Sequence, residues 1–583
     1  MNNTKEIQLI STDFTPKVLK RKNLFYLGAW CNNNNKIGDD KQVLKYVWFK
    51  RNTLEKDYKY LSRLFNKLIK IIPVYLNNYH KKNYPIIFWQ SLIWVWLSFY
   101  LSSTFFRWKT IKEAILKNKK KKIKFVQIQF DSLICARDTH SYKNFIQESK
   151  IFNEYTFSKI SNYFSRDIDI IKKKKFIKYN FYKKFQYSFK AKIFSIIKKT
   201  SNFVKINFIR NKEIILQGFN IKNLVYLNLK RFTFPLFIDE IFPIKDIELK
   251  KLSIKEITKR KKSSFKFKAK NNYEKYLFDT LVTELPISFL EDFDKIKKYA
   301  KNLDIKCNLI ISSVGHYFND RYKTWLFLEK VFKKIKFIII EHGGNHSVSR
   351  DSGFFYYDKK VGDMFVPWSK HSSLPAEKFI GHDNKNNKPI NLLYAGFESD
   401  KYPSRIIPDV TTINELDNIP NLLHLTKNLN KNIFKKLVYC EKKLRDERII
   451  NSITKIIGKN KIRKKGTFVK ELKNAKIVIC DYPQTTYLEC LITCPTLMVV
   501  NYKNSWAPLK KYNGLYYLLE KNNMLFKDIK SATKFINQNW SRIDDWWDTK
   551  KIKNIKEKIL KEFNIETKVD GINKWSRFIS KNI

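Results

Sequence analysis

A carboxylate and an imidazole stand directly before two glycines in the segment FIIIEHGGNHS. Glu341 and His342 are candidate catalytic groups, because such side chains can exchange protons near neutral pH. Gly343 and Gly344 lack Cβ atoms, so backbone N–H groups there can approach an anionic ligand. His346 is a weaker candidate for the same cleft. The segment predicts a phosphate-contacting site, against the alternative of a tight turn with a hydrogen-bonded histidine.

A second set of polar side chains lies in the segment KIVICDYPQTTYLECLITCPTL. Asp481 ends an apolar run, and Thr485 and Thr486 stand where a helix is predicted to begin. The N–H groups and hydroxyls of a helix N terminus can hold a phosphate, and Glu489, one turn later, can hold ribose hydroxyls. Ordinary capping explains this segment when it is taken alone. Together with the glycine-rich turn, it predicts binding of a nucleotide donor.

Further candidates follow two other apolar segments. Gly396 ends the segment INLLYAG, and Glu398 and Ser399 come shortly after it, so these three residues are candidates to contact the donor. Gly28 and Trp30 follow NLFYL and are weaker candidates for the N-terminal side of the cleft. No P-loop, Ser-His-Asp set or HExxH zinc motif is recognisable in the sequence.

The elements that must position these residues alternate between strand and helix. CNLIISS, KFIII and INLLYAG are apolar runs without alternation, which is typical of strands buried on both faces of a parallel sheet. A polar linker at 381–389 separates two such series. The pattern predicts an α/β fold of two Rossmann-like lobes, an N-terminal lobe at 1–380 and a C-terminal nucleotide-binding lobe at 390–583 that ends in a helix. Ligands of such sheets bind at the carboxyl ends of the strands.

The predicted N-terminal lobe contains two unusual segments. Residues 43–118 form a predicted helical, aromatic-rich insertion, and residues 138–275 are rich in aromatics and lysine without clean periodicity. The uncharged stretch at 84–106 approaches the roughly 20 residues that cross a bilayer. Gln90 and serines interrupt it and its flanks are amphipathic, which favours a buried core helix over an interfacial helix or a span.

Composition narrows the functional classes. The 583 residues are 43% hydrophobic and 15% aromatic, enough for two or three folded units. A formal charge of +61 suggests an anionic partner, but the excess is mostly lysine in a chain rich in Asn and Ile, as A/T-rich codons produce. With no arginine cluster or recognition helix, nucleic acid is not an expected partner. Scattered cysteines and the lack of a signal-peptide pattern predict a cytoplasmic protein.

The sequence resembles the surface-polysaccharide (O-antigen type) transferases of bacterial envelope-glycan loci. The resemblance rests on the combination of NLFYLGAWC, LIISSVGHYFNDRYKTWL, EHGGNHS, VGDMFVPWS, DYPQTTYLECL and WSRIDDWWDTKKIKNIKEKILKEF. The HGG and DYPQTT segments are also similar to those of CDP-glycerol glycerophosphotransferases and GT-B glycosyltransferases. The resemblance implies a GT-B-like fold with phosphate held by helix N termini. It also implies His342 as a catalytic or phosphate-contacting residue, and Asp481, Thr485, Thr486 and Glu489 as donor contacts.

The predicted activity is transfer of a sugar from a nucleotide-activated donor to a surface polysaccharide or lipopolysaccharide acceptor. Polyol-phosphate transfer from a CDP donor and a non-catalytic scaffold of glycan assembly are the alternatives. We expect no cofactor and no obligatory metal. We expect a glycan or lipid-linked acceptor, with lysine-rich segments such as NKKKKIK lying against the anionic inner face of the cytoplasmic membrane.

Overall fold

The computed structural model describes residues 6–13, 23–31, 42–173, 182–184, 189–208, 214–244, 246–263, 267–303, 305, 307–343, 346–350, 352–382, 389–396, 400–404, 418–441, 447–463, 467–500 and 508–583. The β-strands are β1 (Glu6–Ile10), β2 (Leu24–Tyr26), β3 (Lys122–Ile128), β4 (Ile134–Ala136), β5 (Asp169–Lys173), β6 (Tyr182–Lys184), β7 (Ile214–Gln217), β8 (Asp246–Lys251), β9 (Leu309–Ser312), β10 (Lys336–Ile340), β11 (Met364–Val366), β12 (Asn391–Gly396), β13 (Leu437–Glu441), β14 (Ala475–Cys480), β15 (Thr496–Val499) and β16 (Leu525–Phe526).

The α-helices are α1 (Arg51–His80), α2 (Ile86–Lys117), α3 (Thr139–Glu148), α4 (Lys150–Ser161), α5 (Phe189–Asn207), α6 (Ile221–Leu229), α7 (Ile238–Ile241), α8 (Ile254–Lys262), α9 (Asn272–Glu284), α10 (Phe293–Asn302), α11 (Gly315–Phe318), α12 (Asp320–Lys333), α13 (Gly353–Val361), α14 (Asn418–Asn428), α15 (Lys431–Lys435), α16 (Glu447–Ile457), α17 (Phe468–Lys473), α18 (Thr485–Thr493), α19 (Asn513–Lys521), α20 (Ile529–Asn539), α21 (Ile543–Asp548), α22 (Lys550–Glu562) and α23 (Gly571–Lys581).

Three parallel sheets organise the part of the chain that the structure describes. The first has the order β2-β1-β3-β5, the second β11-β10-β9-β7 and the third β13-β12-β14-β15-β16. A separate three-stranded antiparallel sheet has the order β4-β8-β6. The predicted α/β class with parallel sheets is therefore confirmed. The region predicted as one N-terminal lobe contains two of the parallel sheets, the first of them interrupted by the helical insertion between β2 and β3.

The helical insertion is the hairpin of α1 and α2. Helix α1 ends where Lys81 adopts a left-handed conformation (φ 50°), and Pro85 precedes α2. Helix α2 is long and apolar enough to cross a membrane, but 72% of its most apolar window is buried inside the protein. It packs against α1, α3, α4, α12 and α13. This packing is that of a core helix, the interpretation that the amphipathic flanks favour.

An arginine inside this core holds a segment from beyond the polar linker. Arg107 on α2 is 1% exposed, and its guanidinium donates to Asn153 Oδ1 at 2.8 Å and to the carbonyl of Ser103 at 2.7 Å. It also donates to the carbonyl of Pro403 at 3.0 Å. The segment 400–404 is thereby attached to the helical core.

The second and third sheets are joined by more than the linker. The backbone N–H of Ala376 donates to the carbonyl of Asn564, and that of Gly381 donates to the carbonyl of Thr567, both at 2.9 Å. Helix α23 then leaves the third sheet, and its Trp575 packs in a cluster with residues of the second sheet. The sequence groups α23 with the C-terminal lobe, whereas in space it covers the second sheet.

Candidate active site between the second and third sheets

A pocket of about 240 Å³ opens at the carboxyl ends of the second sheet. The residues that follow β7, β9, β10 and β11 all contribute to its wall, which is where open parallel sheets bind ligands. The residues that line it are Gly218, Phe219, Asn220, Ser313, Ile340, Glu341, His342, Val366, Pro367, Trp368, Pro375, Glu377, Lys378 and Trp575. Glu341 and His342 of the EHGG segment therefore line the pocket, at the strand end where the pattern predicts a ligand.

Glu341 holds the loop that follows β10. Its Oε1 accepts a hydrogen bond from the N–H of Ser347 at 2.8 Å, and its Oε2 accepts from the Ser347 hydroxyl at 2.8 Å and the Trp368 N–H at 2.7 Å. The carboxyl is 2% exposed, and burial raises its pKa to about 7. These bonds use both carboxylate oxygens, so Glu341 positions the loop, and its predicted catalytic role stays a prediction.

His342 and Gly343 are the parts of the loop that face outward. His342 is exposed at the pocket wall. A Cβ atom built on Gly343 would lie 3.1 Å from Oγ1 of Thr485, so the glycine directly faces the first residue of α18. Gly344 lies outside the described residues. The structure thus brings together one residue from each of the two predicted motifs.

The loop is also fixed to the third-sheet region by backbone pairing. The N–H of Leu509 donates to the carbonyl of Val348 at 2.8 Å, and Ser349 forms an isolated antiparallel bridge with Pro508. Val348 is fully buried in a cluster with residues of α18 and α22. The contact between Gly343 and Thr485 therefore belongs to a broad interface between the two regions.

The α18 segment presents its N terminus to this interface. Asp481 follows β14, is 2% exposed, and receives a 3.4 Å hydrogen bond from the Tyr394 hydroxyl. The residue before α18, Gln484, makes no side-chain cap hydrogen bond. Thr486 is buried, and the Tyr482 hydroxyl donates to its Oγ1 at 2.7 Å. Thr485 is thus placed toward the opposite loop, whereas Thr486 bonds to Tyr482, and its predicted donor contact stays a prediction.

Glu489 makes an ion pair across the interface. Its Oε1 lies 2.8 Å from Nζ of Lys378, a residue of the pocket wall. The Glu489 carboxylate already binds a cation here, and its predicted contact with ribose hydroxyls stays a prediction. Lys378 is a site residue that the sequence analysis missed, because nothing in its local pattern distinguishes it from other surface lysines.

The strand end at Gly396 lies beside that of β14. Ala395 is in register with Cys480, which places Gly396 next to Asp481 at the same sheet edge. A Cβ atom at Gly396 would lie 2.4 Å from the Tyr439 hydroxyl, so close approach of that ring accounts for the glycine. Glu398 and Ser399 lie outside the described residues, and their predicted contacts are not described.

Three weaker candidates have packing roles. Trp30 is 7% exposed, its Nε1 donates to the carbonyl of Ser11 at 2.9 Å, and a Cβ atom on Gly28 would meet its ring at 2.1 Å. Neither residue lines the pocket of about 240 Å³, and their predicted place in the cleft stays a prediction. Both are buried because the Trp30 ring folds back over the glycine. His346 is half-buried and stacks on Phe354, with ring centroids 5.6 Å apart.

The structure reveals a buried serine, histidine and aspartate beneath the pocket. His316 Nδ1 lies 3.3 Å from Ser312 Oγ, and its Nε2 lies 3.0 Å from Asp358 Oδ1. All three side chains are fully buried, so a substrate cannot reach Ser312. The Tyr317 hydroxyl also donates to Asp358 at 2.7 Å, and the network joins the end of β9 to α11 and α13.

Gly218 is a further pocket residue that the sequence analysis missed. It follows β7 with φ +79°, a conformation that favours glycine, and it lines the pocket opposite the EHGG loop. The signal was an apolar run ending in glycine, IILQG, inside the segment 138–275.

Within the described ranges, no three His, Cys, Asp or Glu side chains lie close enough to hold a metal ion.

Comparison with known proteins gives one match over almost the whole chain. The model of the LIC12162 family transferases matches residues 8–579. No curated protein matches the chain. Among solved structures, the S. aureus MnaA–UDP complex is similar with 8% identity and a TM-score of 0.36, over 64% of this chain and 97% of that chain. The wall teichoic acid polymerase TagF is similar with 12% identity and a TM-score of 0.32, over 68% and 98%.

Proposed function

We propose, since the chain belongs to the LIC12162 family of transferases, that it transfers a sugar from a nucleotide-activated donor to a surface polysaccharide or lipopolysaccharide acceptor. The family membership supplies the reaction class. The nature of the donor is inferred from the geometry between the second and third sheets, and the acceptor from the resemblance of the sequence to envelope-glycan transferases.

The observation that carries the proposal is the approach of Gly343 to Thr485. A glycine-containing loop exposes backbone N–H groups, and the N terminus of α18 carries a partial positive charge with its own N–H groups. Two such groups that meet at one interface can donate hydrogen bonds to the same phosphate of a nucleotide at the edge of their contact. Lys378, on the adjoining pocket wall, adds a cation to the same region.

In the proposed reaction, the backbone amides and Lys378 stabilise the negative charge that develops on the leaving nucleotide. His342 is the exposed titratable group of the loop, so it would accept the proton of the acceptor hydroxyl or donate to a phosphate oxygen. Glu341 acts through the backbone: its three hydrogen bonds fix the loop that presents His342 and Gly343. The binding of phosphate in this scheme uses no metal.

Polyol-phosphate transfer from a CDP donor is the alternative that this geometry accommodates equally well. The same amides would hold a phosphate that is transferred with the polyol instead of leaving with the nucleotide. A non-catalytic scaffold is the third possibility, and it predicts that the site binds no donor.

Donor screening separates these candidates. Thermal unfolding of the purified chain is measured with UDP, GDP, CDP, CMP and CDP-glycerol. A ligand at a hundredfold its Kd adds about 2.7 kcal/mol of stability. His342→Ala is then assayed with the donor that binds. If His342→Ala still binds the donor but has lost turnover, catalysis by His342 is supported. If CDP-glycerol stabilises the chain and no nucleotide sugar is turned over, the polyol alternative is supported. Absence of any stabilisation contradicts an enzymatic role.

The acceptor is proposed to be lipid-linked and to lie at the inner face of the cytoplasmic membrane. The exposed lysines at 119–122 form one basic segment that could lie near anionic headgroups. The protein would therefore be cytoplasmic and peripheral to the membrane.

A further inference from the structure

Helix α5 is attached to the protein by its polar side. The Ser195 hydroxyl donates to Glu240 at 2.8 Å, and the Ser201 hydroxyl donates to the carbonyl of Pro235 at 2.8 Å. Asn202 exchanges two hydrogen bonds with the backbone of Phe237, at 2.7 and 3.0 Å. Lys205 is also buried on this side, and burial lowers its pKa to about 8. A helix of a soluble domain usually has the opposite arrangement.

The apolar side of α5 consequently faces away from the protein. Ile193, Ile196 and Ile197 follow the spacing of one helix face and are all exposed. They continue into a surface that includes α6 and the turn after it, where Phe232 is 96% exposed and Leu229 62% exposed. The exposed large apolar residues of this region are Ile193, Phe194, Ile196, Ile197, Phe203, Phe208, Ile221, Tyr226, Leu229, Phe232 and Phe234.

A shallow apolar groove connects the two helices. Phe194 and Ile197 of α5 line one side of it, and Val225 and Leu229 of α6 line the other. The apolar residues of α5 and α6 that line this groove therefore form one continuous surface. Patches of this extent on a soluble protein mark an interaction site.

The charges around this surface are mostly positive, although Asp239 and Glu240 follow in α7. From residue 189 to residue 237 the sequence has ten Lys or Arg residues and one acidic residue, Glu213, which lies outside the described residues. Lys192 and Lys199 are exposed on α5, and Lys222 follows the first residue of α6. A protein partner buried here would need an apolar face with an acidic rim, whereas an anionic bilayer offers both properties everywhere on its surface.

We propose that α5, α6 and residues 230–234 form a membrane-docking surface that binds anionic lipid bilayers. Aromatic side chains such as Phe232 enter the interface between headgroups and acyl chains, and the surrounding lysines contact the headgroups. The occupant is a lipid surface.

The docking surface is directly connected to the candidate active site. Gly218 and Asn220, which line the pocket, separate β7 from α6, and Ile221 begins α6 at the edge of the groove. Docking would hold the mouth of the pocket near the bilayer, where a lipid-linked acceptor is present. In this respect the inference rests on the proposed function and deepens it by specifying how the acceptor is reached.

Vesicle co-sedimentation tests the proposal without any substrate. The full chain is expected to sediment with vesicles of equal parts POPG and POPC, weakly with POPC alone, and less as salt rises. The double variant Leu229→Ser, Phe232→Ser is expected to lower the partition coefficient about tenfold or more, because it removes two exposed apolar anchors. Ile254→Ser, at an 84% exposed position of α8, is the matched control and is expected to bind like the unmodified chain.

A second variant, which changes charge only, tests the proposal in case the variant Leu229→Ser, Phe232→Ser does not fold. Lys192→Glu with Lys199→Glu leaves the apolar residues in place and is expected to reduce binding to POPG vesicles at low salt. No sedimentation with POPG vesicles, or equal sedimentation of the unmodified chain and both variants, overturns the proposal. A concentration-dependent dimer that Leu229→Ser, Phe232→Ser abolishes would assign the surface to a second copy of the chain and overturn it too. Nucleotide binding is measured without lipid, so its failure would count against the proposed function alone.

Discussion

Replacing Gly343 by alanine tests the interface on which the proposed function depends. The new Cβ atom would lie 3.1 Å from Thr485 Oγ1, a few tenths of an ångström closer than an ordinary contact. Gly343 does not have a positive φ, so alanine fits its backbone without strain. The perturbation is therefore a single steric contact between the EHGG loop and the first residue of α18.

The steric cost is expected at the low end of overpacking, about 1 kcal/mol. It is partly offset because alanine reduces the conformational entropy of the unfolded chain, which stabilises proteins by about 0.4–1 kcal/mol. The net change in the free energy of unfolding could thus be close to zero. A double-mutant cycle with Thr485→Ala separates the two effects, since the unfolded-state term is the same in both backgrounds.

Urea unfolding of the four proteins in this cycle is expected to give a coupling energy of about 1 kcal/mol, because Thr485→Ala removes the oxygen that the new methyl group meets. Gly514→Ala is the matched control: nothing lies within 4 Å of its Cβ position, and it is inside α19. It is expected to stabilise the protein by about 0.5–1 kcal/mol in either Thr485 background.

Donor affinity provides the second measurement. The methyl group occupies space between the two sets of N–H groups, so Gly343→Ala is expected to weaken nucleotide binding about tenfold, or 1.4 kcal/mol, in calorimetric titrations. A coupling energy of zero would refute the apposition of the loop and α18. Unchanged nucleotide affinity with the expected coupling would refute the phosphate site while leaving the interface intact.

Three further predictions concern other named contacts. Burial raises the pKa of Glu341 to about 7, so its favourable contribution to stability is present below about pH 4.5 and is lost as pH rises through 7. Between pH 5 and pH 8 the unmodified chain should lose up to about 3 kcal/mol of unfolding free energy that Glu341→Gln does not lose. Parallel pH profiles of the two proteins would contradict this. Arg107→Met leaves Asn153 and buried carbonyls without their donor and should cost about 3 kcal/mol or more in urea unfolding, whereas a loss under 1 kcal/mol would show that water replaces the guanidinium. Lys378 and Glu489 form a partly exposed ion pair, so a cycle of Lys378→Met and Glu489→Gln should give a coupling of about 1 kcal/mol that falls with salt, and a salt-independent value would exclude an electrostatic origin.

The strands that carry the candidate site could be predicted because each is buried on both faces. KFIII and KIVIC are continuous apolar runs, and their ends coincide with the ends of β10 and β14. The transferase class and the family resemblance are likewise confirmed. The burial of Trp30 could not be predicted, because a residue after a strand end can fold back into the core, and the local sequence does not determine that direction. Glu341 bonds to Trp368 on another strand end, and Thr486 is buried by packing, so neither structural role can be derived from the local pattern.

The helices of the segment 138–275 could not be predicted from periodicity, and α5 shows the physical reason. Periodicity identifies a helix by assuming that its apolar side packs inward. In α5 the inward side includes Ser195, Ser201, Asn202 and Lys205, with Ile206 as an apolar contact to the core, and several large apolar side chains face outward. A helix that binds its own protein through hydrogen bonds gains little from burial there, because each bond only replaces one made with water. Its exposed isoleucines and phenylalanines carry a larger free energy, and that energy becomes available only when a second apolar phase covers them. The same feature that obscures the helix in the sequence is therefore the feature that implies a bilayer.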